Sequence, residues 1–364
     1  MKQFLTIATL LSLSTSAWAQ DKIILRGKDA AIDGIRITRV TCKKVFFVYL
    51  GQDGGEQSEE MPKVASFEIE PGHKSSDFLR GEEFLRRGEW KEAIDAFLRV
   101  KNDSKAAPVL HDMARWNVIQ AWSGVGDIER LTGAVASLRK ESPDSSHTLR
   151  AYEILADALR RSGKLDLLAK VGKEIEEAGR QNDMPDWSRA GELVGAGVLE
   201  AQGKLKEAIA VYRKSTGEKG DVGIDANLGL MRCQSAAKDW PALKNAAAAI
   251  LANPKGKDAR LLMGAYLGRA DVAMYADKNL KDALLGYLLV TDVLSGQVGE
   301  QTLEMEIAMS HAAIACARMA GEAKDAESKQ TYKGRAGELL VEARSRFGES
   351  GLTQLAETEI KNVK

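Results

Sequence analysis

The chain has 364 residues, of which 44% are hydrophobic, so it is long enough to bury a full apolar core and to form more than one domain. Lys and Arg together number 52, as do Asp and Glu, and the formal net charge at pH 7 is zero. A chain without net charge has no overall field that would attract nucleic acid or an anionic membrane, which argues against nucleic acid as a partner.

The first 19 residues have the pattern of a cleaved export signal. Lys2 supplies a positive charge, the apolar stretch FLTIATLLSL follows, and Ala17 and Ala19 provide the small side chains that a signal peptidase requires. The apolar run is shorter than the roughly 20 residues of a spanning helix, so it does not predict a retained anchor, and no later segment predicts a transmembrane helix. We therefore expect cleavage after Ala19, a mature chain that begins at Gln20, and a periplasmic or secreted protein.

Export to an oxidising compartment makes the three cysteines, Cys42, Cys233 and Cys316, candidates for disulfide formation. Their number is odd, their separations are long, and no CxxC pair is present. We interpret all three as small buried apolar residues or unpaired thiols, with a disulfide framework as the alternative.

Residues 20–72 are rich in β-branched and aromatic side chains and alternate along the segments KIILRG, GIRITRVT, KKVFFVYLG and KVASFEIE. This pattern predicts four or five short strands with glycine-containing turns such as GQDGG. So short a region is too small for a sandwich and favours a curled sheet or a small barrel. The segment also resembles the small SH3-like or Sm-like barrels that follow signal peptides in many bacterial envelope proteins.

From residue 73 onward the sequence has helical periodicity, with scarce proline and apolar residues recurring at intervals of three and four. Short turn phrases such as RRGEW, RSGKL and AQGKL recur along this region, and each predicts a turn between two helices. The residues that mark these turns are 35 to 40 positions apart: Gly88, Gly126, Gly163, Gly203, Lys238 and Lys278. A fixed spacing of this kind is typical of stacked helical hairpins.

Small and large apolar residues follow five of these turns at fixed distances of five and nine positions. The pairs are Ala93 and Phe97, Leu131 and Val135, Ala208 and Tyr212, Leu243 and Ala247, and Ala283 and Tyr287. Such pairs let the second helix of a hairpin lie close to the first, so we expect them to be buried.

The two best-formed units carry the same order of small, large, turn, small and large residues. In the first these are Gly81, Phe84, Gly88, Ala93 and Phe97, and in the fourth they are Ala196, Leu199, Gly203, Ala208 and Tyr212. This pattern resembles the tetratricopeptide repeat family, although the family period of about 34 is shorter, and the third unit departs from it with Leu168 and Gly172. The resemblance implies a mainly α protein, a right-handed α-solenoid of helical hairpins over residues 73–290. A C-terminal helical repeat or cap at 291–364 would follow it, and a small all-β, barrel-like domain at 20–72 would precede it.

No motif in the sequence predicts a catalytic, cofactor-binding or metal-binding site. The GxG of LVGAGVLEAQG has no third glycine and no preceding strand, which argues against a dinucleotide site. The four histidines, His73, His111, His147 and His311, occur in no HxH, HxxxH or HExxH spacing. We therefore expect a protein that is not an enzyme and that uses no cofactor.

Stacked hairpins curve and expose the first helix of each pair on a concave wall. We expect a non-enzymatic exported scaffold or adaptor that binds a protein or peptide in this groove. The alternatives are a structural envelope or cell-wall-associated protein, and an enzyme whose active site is built from residues far apart in the chain.

Positions counted back from the turns give the residues expected on the concave wall: Gln120, Arg150, Asp157, Arg160, Arg232 and Tyr275. Arg150, Asp157 and Arg160 share one helix at intervals of seven and three, which places them along one stripe. The planar guanidinium group of arginine pairs well with carboxylates, so an acidic or C-terminal peptide segment is the predicted ligand. For each residue taken alone, the alternative is an ordinary solvated position on an amphipathic helix.

Overall fold

The structure is a computed structural model that describes residues 20–27, 31–51, 54–255, 257–294 and 302–363. The predicted signal peptide, residues 1–19, lies outside the described residues. The described part is 72% helical, with fifteen α-helices after a small antiparallel sheet of five strands. A mainly α protein with a short N-terminal β region is therefore confirmed.

The sheet is formed by the N-terminal region alone. Its strands are β1 (Asp21–Leu25), β2 (Ala31–Val40), β3 (Lys44–Tyr49), β4 (Gln57–Glu60) and β5 (Val64–Glu68), with a 3₁₀ turn at Met61–Lys63 between the last two. All neighbouring strands are antiparallel, in the order β4-β3-β2-β1-β5. Register shifts interrupt three of the four pairings, and bulges of this kind bend and twist a sheet.

Alternation along the strands gives the sheet one buried face. Ile35 and Ile37 of β2 and Val45 and Phe47 of β3 are at most 3% exposed, whereas Arg36 between the first two is exposed. This face shares one apolar core with the helices that follow the sheet, including Phe78. The alternation predicted for this region is therefore the one that places every second side chain in the core.

A buried carboxylate connects the start of the sheet to the segment that leads into the first helix. Asp21 is 1% exposed and accepts hydrogen bonds from the backbone N–H groups of Ile37 at 2.7 Å and Glu70 at 2.9 Å. The Nδ1 atom of His73 lies 2.8 Å from the same carboxylate. Three partners satisfy a charge that would otherwise be expensive to bury.

The helices follow from Ser76 to Lys361 and begin at side-chain caps or prolines at several points. Ser75 accepts from the N–H of Phe78, Thr302 accepts from Met305, and Pro108 and Pro185 occupy first-turn positions. The bounds are α1 Ser76–Arg87, α2 Trp90–Asn102, α3 Pro108–Val125, α4 Ile128–Glu141, α5 Thr148–Arg161, α6 Leu165–Gln181, α7 Pro185–Ala201, α8 Leu205–Ser215, α9 Gly220–Ala236, α10 Trp240–Leu251, α11 Ala259–Asp271, α12 Leu280–Leu288, α13 Leu303–Glu322, α14 Ala326–Phe347 and α15 Gly351–Lys361.

Every turn residue predicted from the spacing lies between two helices and has a positive φ. The values are 73° for Gly88, 78° for Gly126, 68° for Gly163, 75° for Gly203, 57° for Lys238 and 56° for Lys278. Glycine adopts this left-handed conformation without steric cost, which explains four of the six. The predicted hairpins α1/α2, α3/α4, α5/α6, α7/α8, α9/α10 and α11/α12 are thus confirmed at their turns.

The small and large apolar residues predicted after the turns are all buried, none of them more than 2% exposed. Close packing depends on glycine at two of these contacts. A Cβ atom on Gly81 would lie 2.8 Å from the ring of Phe97, and one on Gly229 would collide with the ring of Tyr212. The glycines therefore allow an aromatic side chain of one helix to lie directly against the backbone of its neighbour.

The chain divides into two compact units, unit 1 from Met1 to Leu155 and unit 2 from Ala156 to Lys364. In unit 1 the sheet and helices α1 to α3 share a core, and an isolated β-bridge joins Thr41 to Ser145. The described residues of unit 2 include apolar clusters along α7 to α15. The predicted domain boundary at residues 72–73 stays a prediction, and limited proteolysis would test it.

Two short π-helical segments, Val272–Ala276 after α11 and Leu289–Leu294 after α12, were not predicted by the regular helical periodicity. Each extends an α-helix with one wider turn, which places the side chains that follow at a different angle. Among the described residues, none of the helices has both the length and the apolar character needed to cross a membrane.

Candidate functional site

Unit 2 contains a cavity of about 310 Å³ on the side formed by the first helices of its hairpins. The lining comes from α7, α9, α11, α13 and the first turn of α15. Its apolar part includes Leu228, Met231, Leu267, Leu303, Ile307 and Leu352. Its polar part consists of Glu200, Arg232, Ser235, Asp271, Glu304 and His311. An apolar wall with a few convergent polar groups is the usual composition of a ligand site.

Arg232 of α9 lies between two carboxylates that come from different helices. Its Nε and Nη2 atoms donate to Glu200 of α7 at 2.9 and 3.2 Å, and its Nη1 atom donates to Glu304 of α13 at 2.6 Å. Glu200 also accepts from the hydroxyl group of Tyr212 at 2.9 Å. The planar fork of arginine therefore connects the three helices α7, α9 and α13 around the cavity.

The electrostatics of this cluster shift the pKa values of Arg232, Glu200 and Tyr212. Burial opposes the charge on Arg232, but Glu200 and Glu304 outweigh it and hold the pKa of the guanidinium group well above its usual range. Burial also acts to raise the pKa of Glu200, yet the charge of Arg232 overcomes this effect and lowers it. Burial, followed by Glu200, raises the pKa of Tyr212, so the phenol remains a neutral donor.

A second polar cluster surrounds Asp271, which is 3% exposed at the end of α11. Its Oδ2 atom accepts from Ser235 at 2.6 Å, and its Oδ1 atom accepts from Tyr287 at 2.8 Å and contacts Nδ1 of His311 at 2.9 Å. A carboxylate only accepts hydrogen bonds, so the hydrogen of a neutral His311 lies on Nδ1. Its Nε2 atom has no hydrogen-bond partner in the part of the chain that the structure describes.

An aromatic group lies next to this second cluster. The ring of Tyr275 stacks on Trp240 with centroids 5.8 Å apart and meets His311 edge to face, also at 5.8 Å. The guanidinium group of Arg318 lies 5.4 Å from the centre of the Tyr275 ring. Burial and the neighbouring Asp271 raise the pKa of Tyr275 to about 12, so this side chain is uncharged at neutral pH.

The structure brings together three of the six residues predicted for the concave wall. Arg232 lines the cavity, and Tyr275 contacts His311, which also lines it. The guanidinium group of Arg160 lies close to Gly197 of α7, where an added Cβ atom would be 3.3 Å from Nη2. Its charge also acts on Glu200. Arg160 is therefore a neighbour of the Arg232 cluster.

Of the six predicted residues only Arg232 lines the cavity, and the remaining three do not contact its polar clusters. Asp157 pairs with Arg160 at 3.0 Å, one turn away on α5. Arg150 is exposed and pairs with Glu153 at 3.0 Å. Gln120 belongs to α3 in unit 1 and is half-buried. Both arginines of the predicted stripe are thus engaged with a carboxylate of their own helix, and the role of the stripe remains a prediction.

Five polar residues of the cavity were not predicted: Glu200, Ser235, Asp271, Glu304 and His311. Glu200 and Asp271 belong to the first helices of hairpins, where the same counting could have found them. Glu304 and His311 lie on α13, in the region expected to be a cap. Arg232 and Glu304 are separated by 72 positions in the chain, a distance over which the repeat pattern carries no information.

The polar groups do not form a familiar catalytic arrangement. Ser235 donates to Asp271 rather than to His311, so the contact between nucleophile and base that defines a hydrolytic triad is missing. Within the described ranges, no three His, Cys, Asp or Glu residues form a group that could hold a metal ion. All three cysteines are buried and unpaired, as interpreted from the sequence, and burial raises the pKa of Cys233 to about 12 and of Cys316 to about 11.

The sequence matches no protein-family model, and no curated protein is similar to it.

Proposed function

We propose that this protein is a non-enzymatic exported scaffold that binds a segment of a protein or peptide along the first helices of unit 2. The observation that carries this proposal is the cavity, which five helices line with an apolar wall and two polar clusters. A concave site between helices is a common location for ligands. The resemblance to the tetratricopeptide family supports the same conclusion, because stacked hairpins offer extended surfaces to peptides.

Three finer features belong to this proposal. We propose that the hairpins stack as a right-handed tetratricopeptide-like solenoid, which the shared turn geometry supports. The N-terminal region would be a small SH3-like or Sm-like barrel, a view supported by the strand order β4-β3-β2-β1-β5 and the 3₁₀ turn before β5. The protein would be located in the periplasm, with secretion as the alternative, because residues 1–19 have the pattern of an export signal.

The proposal can be tested by selecting a phage-displayed random peptide library on residues 20–364. Ala236 lines the cavity and is exposed, so Ala236→Trp places a large side chain at the site without disturbing a packed core. We expect selected peptides to bind this variant at least about tenfold more weakly, which corresponds to a loss of about 1.4 kcal/mol. Fluorescence anisotropy of labelled peptides measures the difference.

Ala237→Trp is the matched control, because Ala237 is the next residue, is also exposed and does not line the cavity. Its affinity for the same peptides should stay within about twofold of the unmodified chain. Failure of the library to enrich any peptide would contradict the proposal. Equal binding by the unmodified chain and Ala236→Trp would also contradict it.

A further inference from the structure

One carboxylate oxygen in the cavity is left without a partner. Glu304 is 8% exposed, and its Oε1 atom accepts from Arg232 at 2.6 Å. Its Oε2 atom makes no hydrogen bond with any residue that the structure describes. This oxygen is not among the described buried atoms that lack a partner, so it is accessible to solvent, and a donor group of a ligand in the cavity can reach it.

The charges around this oxygen favour a cationic ligand. Glu200 and Glu304 bring two negative charges, and Arg232 supplies one positive charge. Asp271 adds a third carboxylate, and Ser235 and Tyr287 contact it with neutral hydroxyl groups. The charged side chains that line the cavity therefore have a net charge of minus one when His311 is protonated and of minus two when it is neutral. Arg160, whose charge also acts on Glu200, pairs with Asp157 and does not change this sum. A carboxylate of a ligand would be repelled by this negative charge, whereas a cation would be attracted.

The apolar wall fits the stem of such a cation. Ile307 lies one turn after Glu304 on α13, and His311 lies one turn further, so the two polar residues are about 10 Å apart along the helix. Leu267 of α11 adds to the apolar lining. Lysine and arginine place an aliphatic stem of several methylene groups before a charged head, and such stems commonly pack against apolar surface.

We propose that the cavity holds a basic side chain, lysine or arginine, of the segment that the scaffold binds. This inference rests on the proposed function and adds the class of ligand. The charged head donates to Oε2 of Glu304, and the methylene stem packs against Ile307 and Leu267. The free Nε2 atom of His311 then accepts a hydrogen bond from the backbone of the bound segment. The Arg150–Arg160 stripe predicts an acidic segment instead, so the two ligand classes can be separated by experiment.

Three peptide pools test the charge preference. Each pool has a fixed central residue within flanks randomised among Ala, Gly, Ser and Leu, and the central residue is lysine, norleucine or glutamate. Norleucine keeps an aliphatic stem without the ammonium group. We expect the lysine pool to bind the unmodified chain at least about tenfold more tightly than the norleucine pool, and the glutamate pool to bind most weakly. 1,4-Diaminobutane, a free amine, should bind more weakly than the lysine pool.

Glu304→Gln tests the contact itself, since it removes the negative charge of this side chain while retaining a side chain of similar size. It should abolish the preference of the cavity for lysine over norleucine, so that the ratio of the two affinities falls from at least about ten to about one. Glu322→Gln is the control, because Glu322 is exposed on the same helix, and the lysine preference should persist in it. Circular dichroism and the melting temperature should show that both variants are folded.

Equal affinity for the lysine and norleucine pools, or tightest binding of the glutamate pool, would overturn the inference. If Ala236→Trp still weakened the selected peptides, the proposed function would stand while this ligand class failed. A lysine preference that survives in Glu304→Gln would also overturn the assignment, as would tighter binding of diaminobutane than of the lysine pool. Absence of binding by all probes and all selected peptides would remove both proposals.

Discussion

The first helices of the hairpins are packed differently in the two compact units. In unit 1, α1 and α3 contribute Phe78, Val109 and Val118 to a core that they share with Ile35 and Phe47 of the sheet. In unit 2, the corresponding helices α7, α9 and α11, together with α13, enclose a cavity with charged groups. The same hairpin pattern thus contributes to an apolar core shared with a sheet in one unit and to a cavity with charged groups in the other.

This difference shows that the repeat pattern does not determine what its first helices contact. The turn and the small and large apolar residues fix each hairpin, and these features are present in both units. The use of the first helix depends on the element that packs against it. A sheet supplies apolar side chains in unit 1, whereas α13 supplies Glu304 and His311 in unit 2.

The largest expected effect comes from emptying part of the apolar core of unit 1. Phe97 is fully buried and packs edge to face on Phe78 at 5.5 Å, so Phe97→Ala should lower the free energy of unfolding by about 3–5 kcal/mol. Urea denaturation of residues 20–364 measures the loss. Leu98→Ala on the exposed face of the same helix should cost less than about 1 kcal/mol. Ala236→Trp beside the cavity should change stability by a similarly small amount, and a loss comparable to that of Phe97→Ala would break the comparison.

Removing the central charge of the cavity should be the next largest effect. Arg232→Met leaves Glu200 and Glu304 buried without their cation, and we expect a loss of about 3 kcal/mol in the free energy of unfolding. Adding Glu200→Gln and Glu304→Gln should restore most of the loss, since no unpaired charge then remains. Arg213→Met, an exposed position on α8, serves as the control. Unchanged stability of Arg232→Met would show that the carboxylates are solvated and that the cavity is less enclosed than the structure indicates.

A smaller effect distinguishes the hairpin turns of the two units. Both turns between hairpin helices in unit 1 have glycine, whereas unit 2 has glycine at Gly163 and Gly203 and the non-glycine residues Lys238 and Lys278 at a positive φ. Lys238→Gly should raise the free energy of unfolding by about 0.5–1 kcal/mol, because it removes the steric cost of the left-handed conformation. Lys204→Gly, at a negative φ, should lower stability by about 0.5 kcal/mol. Thermal unfolding of both variants compares them, and equal shifts of the same sign would refute the backbone explanation.

The smallest effect is a pH dependence located in unit 1. A hydrogen bond from Ser137, assisted by Lys101 and Arg115, lowers the pKa of Glu141 from 4.5 to about 2. Because the pKa is lower in the folded state, the stabilisation is fully present above pH 4.5 and is lost as the pH falls towards about 2. Glu141→Gln should therefore reduce the loss of stability over this interval, measured as the urea midpoint at each pH. Glu129→Gln, an exposed change on the same helix, should keep the original slope, and an unchanged slope in Glu141→Gln would contradict the prediction.

The sequence predicted the elements that depend on neighbouring residues. Alternation located four of the five described strands and missed β4, which lies outside the alternating segments. The recurring phrases located the turns of six hairpins, because a left-handed residue and the small side chains after it are local requirements. The burial of Ala93 and Phe97 followed for the same reason. The π-helical segment Val272–Ala276 was missed, since its residues have the same composition as the α-helix before it.

Less of the candidate site could be predicted. Counting positions along first helices identified Arg232 and Tyr275, because the direction of a side chain on a helix depends on its position in the turn. The partners of Arg232 could not be found in this way. Glu304 comes from a segment without the repeat phrase. Its pairing with Arg232 depends on how α9 and α13 pack, and the order of charged residues along the sequence does not specify this packing.

The two glycines that lie against aromatic rings also limit how this sequence can change over time. At Gly81 and at Gly229, any added side chain occupies space that Phe97 or Tyr212 already fills. A single substitution at either member of a pair is therefore selected against, while a matched change of both can be accepted. The two residues of each pair should consequently change together. In descendants of this sequence, a larger residue at position 229 should be accompanied by a smaller one at position 212.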